Sequence, residues 1–239
     1  VKDDNHPPLH FMMLHTVSSV FRGQLNPFMG CCINLACVLG IMGMLMWLGR
    51  KLMLLFGRKD MGRMAGFWAA GLYGLSAGAM STTLLIRMYA MVSFFCVALF
   101  TIHVSKFYAP RFRLSQAGTS DFGRKNKLLI LVTVLGFWTQ YFFLFYCLLL
   151  AAVTVLLLWR LDRKDEVRRY IGSMILAAVI GLLVFPFAIS DVFSSGRGVE
   201  ALGNLSSGLD GYGERLLTFG KIWWQRMGIG TIIVLGIVL

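Results

Sequence analysis

The chain has 239 residues, of which 57% are apolar and only 14% carry a charge. A soluble globular domain usually has about 25% charged residues, so the composition excludes an ordinary soluble domain. The formal net charge is +12, yet the basic residues lie in short clusters between long apolar runs. That pattern is typical of loops between membrane spans, and it argues against nucleic acid as a partner. We therefore predict an all-α fold, a polytopic transmembrane helical bundle in a lipid bilayer.

Residues 1–27 are predicted to form an outer-face loop and an interfacial helix. Residues 1–8 are polar and end in two prolines, which are tolerated in the first turn of a helix. Residues 9–21 are apolar on one side, but histidine, threonine and serine side chains interrupt them. Because that stretch is too short and too polar to cross a membrane, we expect it to lie along the membrane surface.

Six apolar segments bounded by polar or basic residues are predicted to be embedded in the membrane. They lie at about residues 28–48, 64–85, 88–104, 128–138, 141–159 and 170–189. The uncharged run 128–158 exceeds the ~20 residues that cross a bilayer, and both of its flanks are basic. If basic loops stay in the cytoplasm, this run must enter the membrane and return. We place the turn at Thr139, Gln140 and Tyr141, its most polar point.

The C-terminal part is predicted to be an outer loop, residues 190–227, followed by the start of a further span, residues 228–239. Those last 12 residues are too few to cross a bilayer core, and the chain does not begin with methionine. We therefore expect a single transmembrane domain over residues 1–239, truncated at both ends.

The distribution of basic residues predicts which loops face the cytoplasm. Residues 49–63, 105–127 and 160–169 hold 16 of the 23 lysines and arginines. Because basic loops stay inside, these three loops are placed in the cytoplasm. The N-terminal segment, the junction at Arg87, the turn at Gln140 and the long C-terminal loop then share the outer face of the cell membrane.

Two polar groups on that face are the first candidates for chemistry. Asp3, Asp4 and His6 precede the first helix, where they either cap it and complement its dipole or act as a general base and hold a divalent cation. Arg87, followed by Tyr89, opposes the positive-inside trend. It either extends its charge to the membrane surface or binds a phosphate with two parallel hydrogen bonds.

Two further candidate pairs complete the outer face. Gln140 and Tyr141 either satisfy backbone groups freed at the predicted turn or contact a substrate. Arg197 and Glu200, in the long outer loop, either form a surface ion pair of little energetic value or line a substrate cleft.

Three segments resemble the motifs of the GT-C-type membrane glycosyltransferases, which include the protein O-mannosyltransferases and the aminoarabinose transferases. Residues 4–15, D-N-H-P-P-L-H-F-M-M-L-H, are similar to the D-x-H-P-P-L-Y-Y-x-x-L-H signature. Residues 87–90, R-M-Y-A, resemble the segment that opens a later span in bacterial members, and residues 138–143, W-T-Q-Y-F-F, resemble their Y-T-H-Y-x-x motif. The order and spacing also agree. The departures include His10 in place of tyrosine and Gln140 in place of a histidine.

The resemblance implies a bacterial enzyme that transfers a sugar from a polyprenyl-phosphate-linked donor to an extracytoplasmic acceptor, with inversion of the anomeric centre. Asp4 would be the base or would support it, with His6 as its partner, and Arg87 would contact the donor phosphate. In these families the catalytic acid usually lies upstream of the H-P-P-L segment, in a stretch mostly missing here. Glutamine cannot transfer a proton, so Gln140 could not replace a histidine in acid–base work.

Two alternatives of other classes stay open. A transporter or flippase for a lipid-linked substrate predicts polar residues near mid-membrane and paired, broken helices. Apart from Gln140 the predicted spans lack such residues, and no internal repeat is visible. A non-catalytic membrane subunit would use the outer loop to bind a partner. No resident cofactor is expected beyond a divalent cation at the carboxylates.

Overall fold

The computed structural model describes residues 8–21, 26–108, 119–186, 213–214, 216–222 and 224, and the regular elements in that part of the chain are all helical. The helices are α1 (Leu9–Val20), α2 (Pro27–Leu55), α3 (Gly62–Gly74), α4 (Ala77–Leu84), α5 (Tyr89–His103), α6 (Thr119–Thr139), α7 (Phe143–Arg160) and α8 (Lys164–Val184). A π-helical turn, Val104–Tyr108, extends α5. The prediction of an all-α chain is confirmed.

Four helices in the described residues are long and apolar enough to cross a membrane. They cover Pro27–Leu54, Tyr89–Phe107, Phe143–Arg160 and Lys164–Val184. The apolar part of α6, Asn126–Thr139, is shorter. The chain turns between α6 and α7, where the sequence predicts it: the Gln140 carbonyl accepts a hydrogen bond from the Phe143 N–H at 3.1 Å.

The segment 64–85, predicted as one span, is instead two helices, α3 and α4. Ser76 lies between them in an extended conformation and caps α4, because its Oγ accepts a hydrogen bond from the Ala79 N–H at 3.1 Å. The same hydroxyl donates to the Tyr73 carbonyl at 2.7 Å. Ser76 thus bonds one main-chain group at the end of α3 and one at the start of α4. These bonds lower the free-energy cost of breaking the helix in an apolar environment.

Helices α2, α6 and α8 all extend into segments that the sequence predicts as loops. Helix α6 begins at Thr119, inside the predicted loop 105–127. Helix α2 continues past the predicted end of its span to Leu55 and stops before Gly57, whose φ is +78°. Helix α8 begins at Lys164, inside the predicted loop 160–169, with Asp165 and Glu166 in its first turn, where they complement the helix dipole. Charged residues end a membrane-embedded stretch but do not by themselves end a helix.

The helices pack through apolar side chains and close backbone contacts. Helix α2 contacts α3 and α5, α5 contacts α6, α6 contacts α8, and α1 contacts both α2 and α6. Met91, Leu99, Leu129 and Phe143 are buried in the centre of this core. Because lipid is as apolar as the core, such packing is held mainly by van der Waals contact and by hydrogen bonds between helices.

Hydrogen bonds to main-chain carbonyls connect helices at one end of the bundle. The donors are the Asn34 side chain to Leu85, the Trp138 indole to Gly181 and the Tyr146 hydroxyl to Cys96. The first bond joins the N-terminal part of α2 to the end of α4, the second joins the ends of α6 and α8, and the third joins the first turn of α7 to the middle of α5. These termini therefore share one end of the bundle, which we call the Arg87 end. The α2–α3 connection and the α7–α8 turn lie at the opposite end.

Candidate functional site

The structure describes four of the nine candidate site residues, and all four lie at the Arg87 end. Arg87 and Tyr89 belong to the α4–α5 junction, and Gln140 and Tyr141 belong to the α6–α7 turn. The other candidates lie outside the described residues: Asp3, Asp4, His6, Arg197 and Glu200.

Arg87 lies in the α4–α5 junction, whose backbone is held in place by hydrogen bonds. The Leu85 carbonyl accepts two hydrogen bonds, from the Asn34 amide on α2 and from the Arg87 N–H, each at 2.7 Å. The next residue, Met88, is buried, whereas Arg87 and Tyr89 are exposed. Within the described part of the chain the Arg87 guanidinium forms no ion pair, so its fork of N–H donors is available to an anion.

The α6–α7 turn leaves the side-chain amide of Gln140 available. The Gln140 N–H donates to the Gly136 carbonyl at 3.3 Å, and the Tyr141 carbonyl accepts from the Leu144 N–H at 3.0 Å. Main-chain groups therefore close the turn. The Gln140 amide forms no hydrogen bond to any described residue, and it is half-buried. The Tyr141 ring is anchored 5.9 Å from the ring of Phe137.

His10 on α1, which stands where the family signature has a tyrosine, is a buried polar group. Its side chain is 3% exposed, and its ring meets that of Phe11 edge-to-face at 5.9 Å. Its Nε2 atom has no hydrogen-bond partner among the described residues. Burial lowers the pKa of His10, because it disfavours the charged imidazolium. The structure thus places a buried histidine beside the H-P-P-L segment.

Asn34 supports the candidate site, and the sequence analysis missed it. Its side chain is 0% exposed, and its amide supports the Leu85 carbonyl directly below Arg87. The available signal was an asparagine inside an otherwise apolar run, because a polar side chain at membrane depth is costly unless it bonds another group. The same signal marks His103, which bonds the Tyr170 hydroxyl at 3.0 Å near the opposite end of the bundle.

The described residues offer no metal site. No group of three or more histidines, cysteines, aspartates or glutamates in this part of the chain could hold an ion. The cysteines are free thiols. The candidate cation ligands, Asp3, Asp4 and His6, lie outside the described residues, so the divalent cation remains a prediction.

The Arg87 end combines groups that suit a phosphate attached to an apolar tail. It offers a free guanidinium, a neighbouring phenol and a free amide at the boundary of apolar helices. An arginine fork matches the oxygens of a phosphate, and exposed apolar side chains on the helices match hydrocarbon. The chain shows no significant match to any protein-family model, curated protein or solved structure.

Proposed function

We propose that this chain belongs to a membrane glycosyltransferase of the GT-C type, which transfers a sugar from a polyprenyl-phosphate donor to an extracytoplasmic acceptor. The single observation that carries the proposal is the exposed Arg87, which forms no ion pair with any described residue, at the end of a membrane bundle and inside an R-M-Y-A segment that resembles the family's motif. The D-N-H-P-P-L segment upstream and the W-T-Q-Y turn downstream add support by their order.

In the proposed reaction, an acceptor hydroxyl attacks the anomeric carbon of the sugar. The new carbon–oxygen bond forms as the bond to the phosphate oxygen breaks, and polyprenyl phosphate leaves with the bonding electrons. Asp4, with Asp3 and His6 beside it in sequence, takes the proton from the acceptor or supports the group that does. Attack from the face opposite the leaving phosphate inverts the anomeric centre.

Arg87 serves the leaving group in this scheme. Negative charge increases on the phosphate as the sugar departs, and a guanidinium aimed at that charge stabilises the transition state more than the ground state. The Asn34–Leu85 contact holds the junction that presents Arg87, so the backbone that carries the guanidinium need not be ordered when the donor arrives. Tyr89, Gln140 and Tyr141 are the proposed sugar and phosphate contacts around it.

The outer loop supplies the remaining proposed contacts. Arg197 and Glu200 would line the cleft for the acceptor on the extracytoplasmic side. Neither residue resembles a quoted motif, so their assignment rests on their charge and on the predicted topology alone.

Turnover of the donor tests the proposal. The protein is purified in detergent and mixed with polyprenyl-phosphate sugars, and mass spectrometry follows the release of free polyprenyl phosphate. We expect release by the wild type and a loss of about a hundredfold in Arg87→Ala, the scale for a group that stabilises transition-state charge. Arg160→Ala, which removes an exposed arginine from the opposite end of the bundle, is the matched control and keeps full release.

Two outcomes count against the transferase. A folded protein that releases polyprenyl phosphate from no donor tested contradicts it and favours the transporter or subunit alternatives. Equal loss in Arg87→Ala and Arg160→Ala contradicts the assignment of Arg87 to the donor site. Asp4→Asn separates the base from the phosphate contact, because normal transfer by that variant removes Asp4 from the mechanism.

A further inference from the structure

The connection between α2 and α3 concentrates positive charge against a single acidic residue. Between residues 50 and 63 the basic residues are Arg50, Lys51, Arg58, Lys59 and Arg63, and the only acid is Asp60. All of them except Lys51 are exposed. In the part of the chain that the structure describes, none of these five forms an ion pair. We call this stretch with its two helix ends the basic hairpin.

The α7–α8 turn at the same end of the bundle differs in one respect. It is also basic, but two of its cations are matched by carboxylates of the turn itself. Arg163 donates from Nε to Glu166 Oε1 at 2.7 Å, and the Lys164 ammonium lies 3.4 Å from Asp162 Oδ1. Among the described residues, the basic hairpin therefore carries more unpaired cations than the α7–α8 turn.

Close helix packing places the end of α2 against the start of α3. A Cβ atom on Gly49 would lie 2.6 Å from the Cα of Gly66, so the two backbones touch at this point. A Cβ atom on Gly62 would lie 3.5 Å from Arg50 Cγ. Arg50 on α2 therefore lies beside the first residue of α3, and Arg63 is the next residue of that helix. Arginine side chains match the oxygens of a phosphodiester, and both of these are exposed.

The basic hairpin adjoins an apolar surface of the kind that faces lipid. Trp47, Phe56, Met64 and Phe67 are exposed on and beside the two helices, and Phe56 is 74% exposed. The Lys51 ammonium lies 5.7 Å from the centre of the Trp47 ring. Aromatic side chains next to cations are typical of the boundary where hydrocarbon meets phosphate headgroups.

We propose that the basic hairpin binds the phosphate headgroup of an anionic phospholipid in the cytoplasmic leaflet. Arg50 and Arg63 contact the phosphodiester, Arg58 and Lys59 add long-range attraction, and the exposed aromatic residues contact the acyl chains. Such a site is separate from the donor site at the Arg87 end, on the other side of the bundle. It does not depend on the proposed transferase activity.

Binding of a defined lipid tests this site. The chain is reconstituted into nanodiscs of phosphatidylcholine with and without phosphatidylglycerol, and native mass spectrometry counts the lipids that remain bound after release. We expect retained phosphatidylglycerol in the wild type. A juxtamembrane cation contributes about 1 kcal/mol toward an anionic lipid, so the double variant Arg50→Gln/Arg63→Gln should lose about tenfold or more in affinity.

The matched control removes the same charge from the other connection. Arg160→Gln/Arg168→Gln replaces two exposed arginines of α7 and α8, and we expect it to bind phosphatidylglycerol within about threefold of the wild type. Equal losses in the two double variants would overturn a specific site and leave only general attraction. Equal retention of both lipids by the wild type would overturn it as well. Displacement of the lipid by inorganic phosphate would identify a free-anion site instead.

Discussion

The side chain of Asn34 holds the carbonyl of Leu85 across two helices. Its Nδ2 atom donates to that oxygen at 2.7 Å, and the same oxygen accepts from the Arg87 N–H at 2.7 Å. One carbonyl thus joins helix α2 to the junction that carries the candidate phosphate ligand. Asn34 is a positioning residue in this arrangement, because it contacts the backbone below Arg87 and not the guanidinium.

Replacing Asn34 should weaken the α4–α5 junction. Asn34→Ala removes one of the two donors to the Leu85 carbonyl in a fully buried place, and we expect a loss of about 1–2 kcal/mol in unfolding free energy. Thermal unfolding in detergent measures this change. The control is Leu35→Ala at the exposed neighbouring position, which should cost less. Unchanged stability of Asn34→Ala would show that the contact contributes nothing.

The crossing of α2 and α3 should be sensitive to a single methyl group. A Cβ on Gly49 would lie 2.6 Å from the Gly66 Cα, whereas a Cβ on Gly43 would meet nothing within 4 Å. We expect Gly49→Ala to lower stability by about 1–3 kcal/mol through overpacking. Gly43→Ala should instead raise it by about 0.5–1 kcal/mol, because alanine favours a helix interior. Melting temperatures that move in the same direction for both variants would contradict this packing.

The stability of the folded chain should fall on acidification because of His10. Burial lowers the pKa of His10 below its ordinary value of 6.5. In the unfolded chain the ring takes up a proton as the pH falls through about 6.5, while the folded chain does so only at lower pH. Between these two pKa values the unfolded state binds more protons than the folded state. The free energy of unfolding is therefore highest above about pH 6.5, and it falls as the pH drops below that value.

Unfolding measurements at about pH 8 and about pH 5 check this contribution. We expect His10→Gln to lose part of the decrease seen in the wild type, because glutamine does not titrate. His15→Gln, which changes the exposed histidine on the same helix, should keep the full decrease. The same pH dependence in His10→Gln and in the wild type would show that His10 does not couple protonation to folding.

Patterns of charge and hydropathy predict most of the helical fold. The turn at Gln140 follows from an apolar run too long for one span with basic flanks on both sides, and the structure has the turn there. The break at Ser76 was not predictable from hydropathy. A single serine changes the average hydropathy of an apolar run very little. Its capping hydrogen bond with the Ala79 N–H depends on the local backbone.

The candidate site was less accessible to sequence reasoning. The exposure of Arg87 agrees with its place at a helix junction, but the role of Asn34 depends on a contact with a residue 51 positions away in the chain. Lys106 was placed in a basic loop from its charge, whereas the structure buries it in the π-helical turn after α5. Long side chains can be buried by tertiary packing, and composition carries no information about that.

We expect the two ends of the bundle to face opposite sides of the membrane, with Arg87 and the α6–α7 turn on the outer side. The measurement uses single cysteines in a background where alanine replaces the five native cysteines, and a membrane-impermeant maleimide is added to intact cells. We predict that Arg87→Cys and Phe142→Cys react, whereas Lys59→Cys and Asp165→Cys react only after permeabilisation. Labelling of positions 59 and 165 in intact cells would contradict this topology. Labelling of only one of positions 87 and 142 in intact cells would contradict it as well.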